Sequence, residues 1–175
     1  MLIGNCSIFA IEFKLDKEYG EAWLYGKLCF WINNQRIGDY DLGTSLRDVL
    51  FELKYIVSDN GNRNHKELYL LSKEELYYRL NSVLYGYEAS EFEKEALDDT
   101  WARFNATIPI DVFCGWKIFV VENVDKTRVI AKNDDSEILE LIMLSKEFND
   151  VINCFYLELN KLYDSEIEKG MHNKK

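Results

Sequence analysis

Residues 23–63 read WLYGKLCFWINNQRIGDYDLGTSLRDVLFELKYIVSDNGNR, and the order is strand, turn, strand, helix. The first strand is expected from about Ala22 to Ile32. It is dense in Trp23, Tyr25, Phe30 and Trp31, residue types that suit a pleated, half-buried surface. Asn33-Asn34 follows, and asparagine readily supplies the positive φ that a tight hairpin turn needs. A short return strand runs from about Gln35 to Tyr40, and Gly43 and Thr44 end the sheet segment. Ser45 with Asp48 three positions on approximates a capping box. Leu46, Val49, Leu50, Leu53, Ile56 and Val57 then recur at helical spacing, with Arg47, Asp48, Glu52 and Lys54 on the exposed side. Asp59-Asn60-Gly61-Asn62 is the stop signal.

Upstream, Phe9, Ile11, Phe13 and Leu15 alternate with Ala10, Glu12 and Lys14, which predicts a strand over Ser7 to Leu15. Downstream, Ser72 and Glu75 form a cleaner capping box before Leu76, Leu80, Val83 and Leu84, the stripe of a second helix ending near Gly86. A short acidic helix is expected around Glu91 to Ala96, and an irregular passage around Trp101. Trp116 to Glu122 and Thr127 to Lys132 read as a hairpin over Asn123-Val124-Asp125-Lys126. Glu137 to Leu144 reads as a third strand, although Ile138 to Leu144 also fits the start of a helix. From Ser145 the period is helical, with Phe148, Val151, Ile152, Phe155, Leu159 and Leu162 on one face. Strands, two helices, strands, one helix make an α+β fold, in the order β-β-β-α-α-β-β-(β)-α, with antiparallel hairpins and about three main helices against the sheet. A single domain over residues 1–163 and a flexible polar tail over 164–175 are expected.

With 175 residues the chain should bury roughly two thirds of its unfolded surface and needs no disulfide or metal staple. Ten Phe, eleven Tyr and four Trp supply the bulk for that core. A net charge of −10 repels nucleic acid and anionic membranes and attracts basic partners. Solubility explains the same charge equally well. Cys6, Cys29, Cys114 and Cys154 form no C-x-x-C pair, the pattern of a reducing compartment. The first residues, MLIGNCSIFAIEFKLD, lack the pattern of a signal peptide, and no apolar run approaches the roughly 20 residues of a membrane span. The cytoplasm is the default location.

Catalytic constellations are scarce. His65 lies in a polar loop and His172 in the tail, where a lone histidine is usually solvated. Neither zinc spacing nor a cofactor fingerprint is present, and Gly26, Gly38, Gly43 and Gly61 read as turns or bulges. Arg63 is near enough to the Gly61 turn to meet an anion, but a helix C-terminus carries the wrong end of the dipole. No catalytic residue, cofactor or metal ligand is therefore assigned.

One segment stands out. Residues 87–101 read YEASEFEKEALDDTW, with Glu88, Glu91, Glu93, Glu95, Asp98 and Asp99 against Lys94, and with Tyr87, Phe92 and Trp101 interleaved. Charges that speed encounter and aromatics that hold the complex suit capture of a basic protein surface, with Glu88, Glu91, Glu93, Asp98, Asp99 and Trp101 as the contact residues. The competing reading is a solvated amphipathic helix with Phe92 and Leu97 turned into the core.

Trp23-Leu24-Tyr25-Gly26-Lys27, Trp31-Ile32-Asn33, Ile37-Gly38-Asp39-Tyr40, Leu42 to Leu50 and Asp59-Asn60-Gly61-Asn62-Arg63 together resemble the bacterial immunity protein family numbered forty-two in the polymorphic-toxin classification. The Trp116-Lys117-Ile118-Phe119 strand and the Phe148 to Leu162 helix fit the same plan. The resemblance implies a non-enzymatic inhibitor that covers a cognate toxin domain, often a nuclease or another basic enzyme. It brings no catalytic or interface residues with it. Two rivals stay open: a hydrolase or transferase working through carboxylates, and an adaptor module that binds host proteins or forms a homodimer.

Overall fold

The computed structural model describes residues 1–86, 89–134 and 136–172. In chain order the elements are β1 (Leu2–Gly4), β2 (Phe9–Leu15), β3 (Tyr25–Ile32), β4 (Gln35–Ile37), β5 (Thr44–Ser45), α1 (Leu46–Ser58), α2 (Lys66–Leu70), α3 (Lys73–Tyr85), α4 (Glu93–Asp98), β6 (Trp116–Asn123), β7 (Lys126–Asn133), β8 (Leu139–Leu144) and α5 (Ser145–His172). The class is α+β, and every strand pair in its two sheets is antiparallel. The expected single domain meets a chain that groups into two compact units. One holds Met1–Ser58, Ile108–Cys114 and the chain from Asn149 onward; the other holds Asp59–Thr107 and Gly115–Phe148.

In the first unit the sheet runs β1-β2-β3-β4, with β5 also against β3. Ile32 pairs with Gln35, so Asn33 and Asn34 form the two-residue loop, with φ of 51° and 63°. Both central residues of a type I′ turn need that left-handed backbone. Phe9, Ile11 and Phe13 of β2 are buried, but so is Ala10 of the face read as opposite, and Leu15 is only partly buried. Leu46, Val49, Leu50, Leu53 and Ile56 of α1 are buried. Gly26 permits close packing: a Cβ there would lie 2.3 Å from the Lys14 carbonyl oxygen and 3.1 Å from Leu46 Cδ1. The Phe13 ring lies 5.1 Å from that of Phe155 on α5, and the Phe30 ring 4.7 Å from that of Phe113.

Several boundaries differ from expectation, among them the start of β2 at Phe9 and not Ser7, and Thr44, read as ending the sheet segment but lying in β5. The strand read from Ala22 starts at Tyr25, because Glu21–Trp23 form a 3₁₀ turn flanked by left-handed Gly20 and Leu24. That backbone buries Leu24 completely and leaves Trp23 about half exposed. The return strand stops at Ile37, where Gly38 turns the chain with φ of 93°. Residues 164–172, read as tail, continue α5. Glu166 accepts hydrogen bonds there from Tyr19 Oη (3.1 Å) and Lys169 Nζ (2.6 Å), which hold its carboxyl below its usual range.

In the second unit the sheet runs β6-β7-β8. Leu139–Leu144 resolves the open choice as a strand, with Glu140 opposite Ile130. Asn123 pairs with Lys126, so the hairpin loop is Val124-Asp125 alone. Phe119, Val121 and Ile130 pack against Leu68, Leu76, Leu80, Ala96, Trp101 and Phe104. Ser72 caps α3 by accepting the Glu75 N–H at 3.1 Å. The five-residue α2 is too short to show a period in sequence. Buried Arg128 completes it, donating from Nη1 to the carbonyls of Tyr69 and Leu71, both at 2.6 Å, groups a helix end leaves without partners. No helix among the described residues is long and apolar enough to cross a membrane.

Candidate partner-binding surface

The acidic segment forms a short helix and a turn in the second unit. Glu91, Glu93, Glu95 and Asp98 are exposed, as is Lys94. Glu88 lies outside the described residues. Phe92 is half-buried, with its ring 6.5 Å from that of Trp101 and the Arg79 guanidinium 4.6 Å from its centroid. Leu97, read in the alternative as a core residue, is 74% exposed, and Ala96 takes the buried position instead. The segment therefore presents charge and one aliphatic side chain outward, with Phe92 on the inner side.

Trp101 does not belong to that outward face. It is 1% exposed and sits in the core of the second unit. Its burial leaves it at most the inner wall of a pocket beside α4. Truncating it to alanine should cost about 3–5 kcal/mol of stability, as for other buried aromatics. Its indole N–H, also buried, has no hydrogen-bond partner among the described residues.

Asp99 is half withdrawn by its own neighbours. Its Oδ2 accepts from Arg103 Nη2 at 2.8 Å and lies 3.3 Å from His65 Nε2. His65 Nδ1 accepts the Leu68 N–H at 3.2 Å, capping α2. With Nδ1 engaged there, Nε2 is the ring nitrogen turned toward Asp99. A histidine read as solvated is thus a structural link, with its side chain 14% exposed. Arg63, read as near enough to an anion, is fully buried. Its guanidinium donates to the Arg103 carbonyl (Nε, 3.0 Å) and to Asn60 Oδ1 (Nη1, 3.2 Å). Burial pulls its pKa down, opposed by Asp59 and Glu122. This network braces the turn that follows α4.

A second exposed surface, in the first unit, was not singled out from sequence. Trp23 and Tyr25 stack with centroids 6.1 Å apart and planes 1° apart. The Arg47 guanidinium lies 3.6 Å from the Trp23 centroid. Phe51 and Tyr55 of α1 are 48% and 67% exposed, on the helix side that reads as charged in sequence. Trp, Tyr and Arg are the residues that most often carry interface energy. The available signal was Phe51 and Tyr55 falling between the charges of that helix face.

Among the described residues no group of three or more His, Cys, Asp and Glu is placed to hold a metal ion. The four cysteines are free. Cys29 is fully buried, and burial with Glu12 nearby pushes its thiol up to about 12. Cys114 and Cys154 are exposed.

The family model for Immunity protein 42 matches residues 1–158. This chain belongs to the Immunity protein 42 family. The fold is shared with the crystal structure of CdiI from Burkholderia dolosa AUO158, at a TM-score of 0.70 and 20% identity over 90% of this chain and 99% of that one. No curated protein matches. In this Immunity protein 42 chain, the residues that carried the resemblance in 23–63 chiefly build the fold. Asn33 and Asn34 make the hairpin loop, Gly38, Gly43 and Gly61 take positive φ, and Ser45 caps α1, accepting the Asp48 N–H at 3.3 Å.

Proposed function

We propose that this Immunity protein 42 member neutralises a cognate toxin domain in the cytoplasm by binding it one to one and covering its working surface. The family match over residues 1–158 is the observation that carries this reading. The net charge of −10 and the exposed run Glu91, Glu93, Glu95 and Asp98 favour a basic toxin, such as one whose own substrate is a polyanion. Glu91, Glu93 and Asp98 contact the toxin directly, their side chains having no hydrogen bond or ion pair among the described residues. Asp99 contributes less, because Arg103 already offsets its charge. No chemical step on the toxin is required. Such pairs rely on complementary fields for fast encounter and on buried anchors for slow release.

Co-expression with the toxin encoded beside this chain tests the reading. Cells should survive toxin induction only when this chain is present. Calorimetry should give one chain per toxin domain. Cell death at the rate of unprotected cells would refute the reading, and inactivation of excess toxin by a trace of this protein would refute occlusion.

A further inference from the structure

In the second unit a pocket of about 280 Å³ opens between α3, α4 and the turn after α4. Val83, Leu84, Ala96, Leu97, Trp101 and Ala102 line it with apolar surface, and Glu93 and Thr100 are its polar members. Small-molecule sites usually span roughly 300–1,000 Å³, so this one is at or below the lower limit. It suits a single long side chain better than a substrate. Glu91, Glu95 and Asp98, sequence neighbours of the lining residues, are all exposed. An apolar slot with one carboxylate in its lining, set in an acidic segment, matches a flexible apolar stem ending in a cation. Lysine and arginine have that form, and both commonly lay the stem on apolar surface while the head stays polar.

We infer that this pocket receives one lysine or arginine side chain of the toxin, with Glu93 pairing its charged head and Val83, Leu84, Ala96 and Leu97 packing its stem. The inference rests on the toxin-binding reading above and makes it more specific. It locates an anchor within the acidic segment, where charge alone would distribute the contact evenly. It also gives a role to Leu97, whose 74% exposure no packing in the second unit explains.

The test uses the full chain and the toxin domain encoded beside it, with affinity read by calorimetry and folding by thermal melting. Ala102→Trp should block the slot from an exposed position, weakening binding by about tenfold or more with little change in Tm. Glu93→Gln should weaken binding by about tenfold, while Glu91→Gln, outside the lining, should change it by less than about threefold. Each toxin Lys and Arg is then replaced by Met, which keeps a stem and removes the charge. One position should couple to Glu93, so that the double variant binds no worse than the weaker single one. Additive effects at every toxin position, or unchanged affinity of a folded Ala102→Trp variant, would overturn the slot and leave the immunity reading standing. Absence of any binding by the unaltered chain would overturn both.

Discussion

Asp99→Asn separates an acid that holds the fold from acids that meet a partner. Asp99 is bound to Arg103 at 2.8 Å and to His65 at 3.3 Å, with side-chain exposures of 41%, 14% and 14% respectively. An exposed pair at i,i+4 is worth about 0.3–0.5 kcal/mol. The Arg103 guanidinium is better fixed than most, since it also donates to the Thr100 carbonyl and lies 4.3 Å from the Phe104 ring centroid. That moves the pair toward about 1 kcal/mol, the upper end for exposed ion pairs. The His65 imidazole, with Nε2 3.3 Å from the same oxygen, adds a polar contact worth at most about 1 kcal/mol. Asparagine keeps the shape and loses the charge, so the expected loss is about 1–2 kcal/mol. In a chain of this size each kcal/mol shifts Tm by about 2–4 °C, giving a drop of roughly 2–8 °C. Asp98→Asn, on an exposed side chain, should stay within about 0.5 kcal/mol of the parent. Differential scanning calorimetry measures both. Association with the toxin, followed by stopped flow at low salt, should show the reverse ranking, with Asp98→Asn slower. Equal Tm values together with equal slowing would refute the division of roles.

Three further outcomes follow from the same structure. Replacing Glu91, Glu93 and Asp98 together with Lys should slow toxin association and flatten its dependence on ionic strength, and an unchanged rate constant would remove electrostatic steering from the proposal. The Cys29 thiol ionises at about 12 when folded, against an ordinary value of 9.0. Its folded pKa is raised, so its contribution is complete below pH 9 and declines as pH rises toward 12. Denaturant titrations should show stability falling by up to about 1.4 kcal/mol per pH unit there, with a Cys29→Ala variant lacking that part of the slope. Val124, a β-branched residue 82% exposed with φ of 58°, bears a left-handed backbone cost of about 1–2 kcal/mol. Val124→Gly relieves that strain against a chain-entropy loss of about 0.4–1 kcal/mol, so thermal melting should show a net gain near 0.5–1 kcal/mol.

Much of the acidic segment was legible from composition, because a run of like charges has too few partners to be buried at low cost. Glu91, Glu93 and Asp98 are exposed. The segment's aromatic anchor was not legible. Trp101 follows two aspartates and a threonine in sequence, and nothing local distinguishes an exposed indole from a buried one. The decision lies with Leu76, Leu80 and Phe119, distant in sequence, which build the core around it. His65 illustrates the same limit, since its role depends on Asp99 being brought within 3.3 Å.

The sequence by itself determined whatever rests on backbone chemistry within a few residues. Asn33-Asn34 specified a tight hairpin through its tolerance of positive φ, Ser45 and Ser72 marked helix starts by capping N–H groups, and the periods of α1, α3 and α5 identified their buried stripes. Tertiary structure alone decided which marginal pieces survive and which surfaces remain open. Three-residue β1 exists because β2 offers it a hydrogen-bonding edge, and five-residue α2 because Arg128 completes its carbonyls. Elements that short cannot offset their own ordering entropy, so their formation waits on partners outside the element. The pocket beside Glu93 has the same origin: its lining comes from two helices and a turn, and no contiguous stretch of sequence contains it.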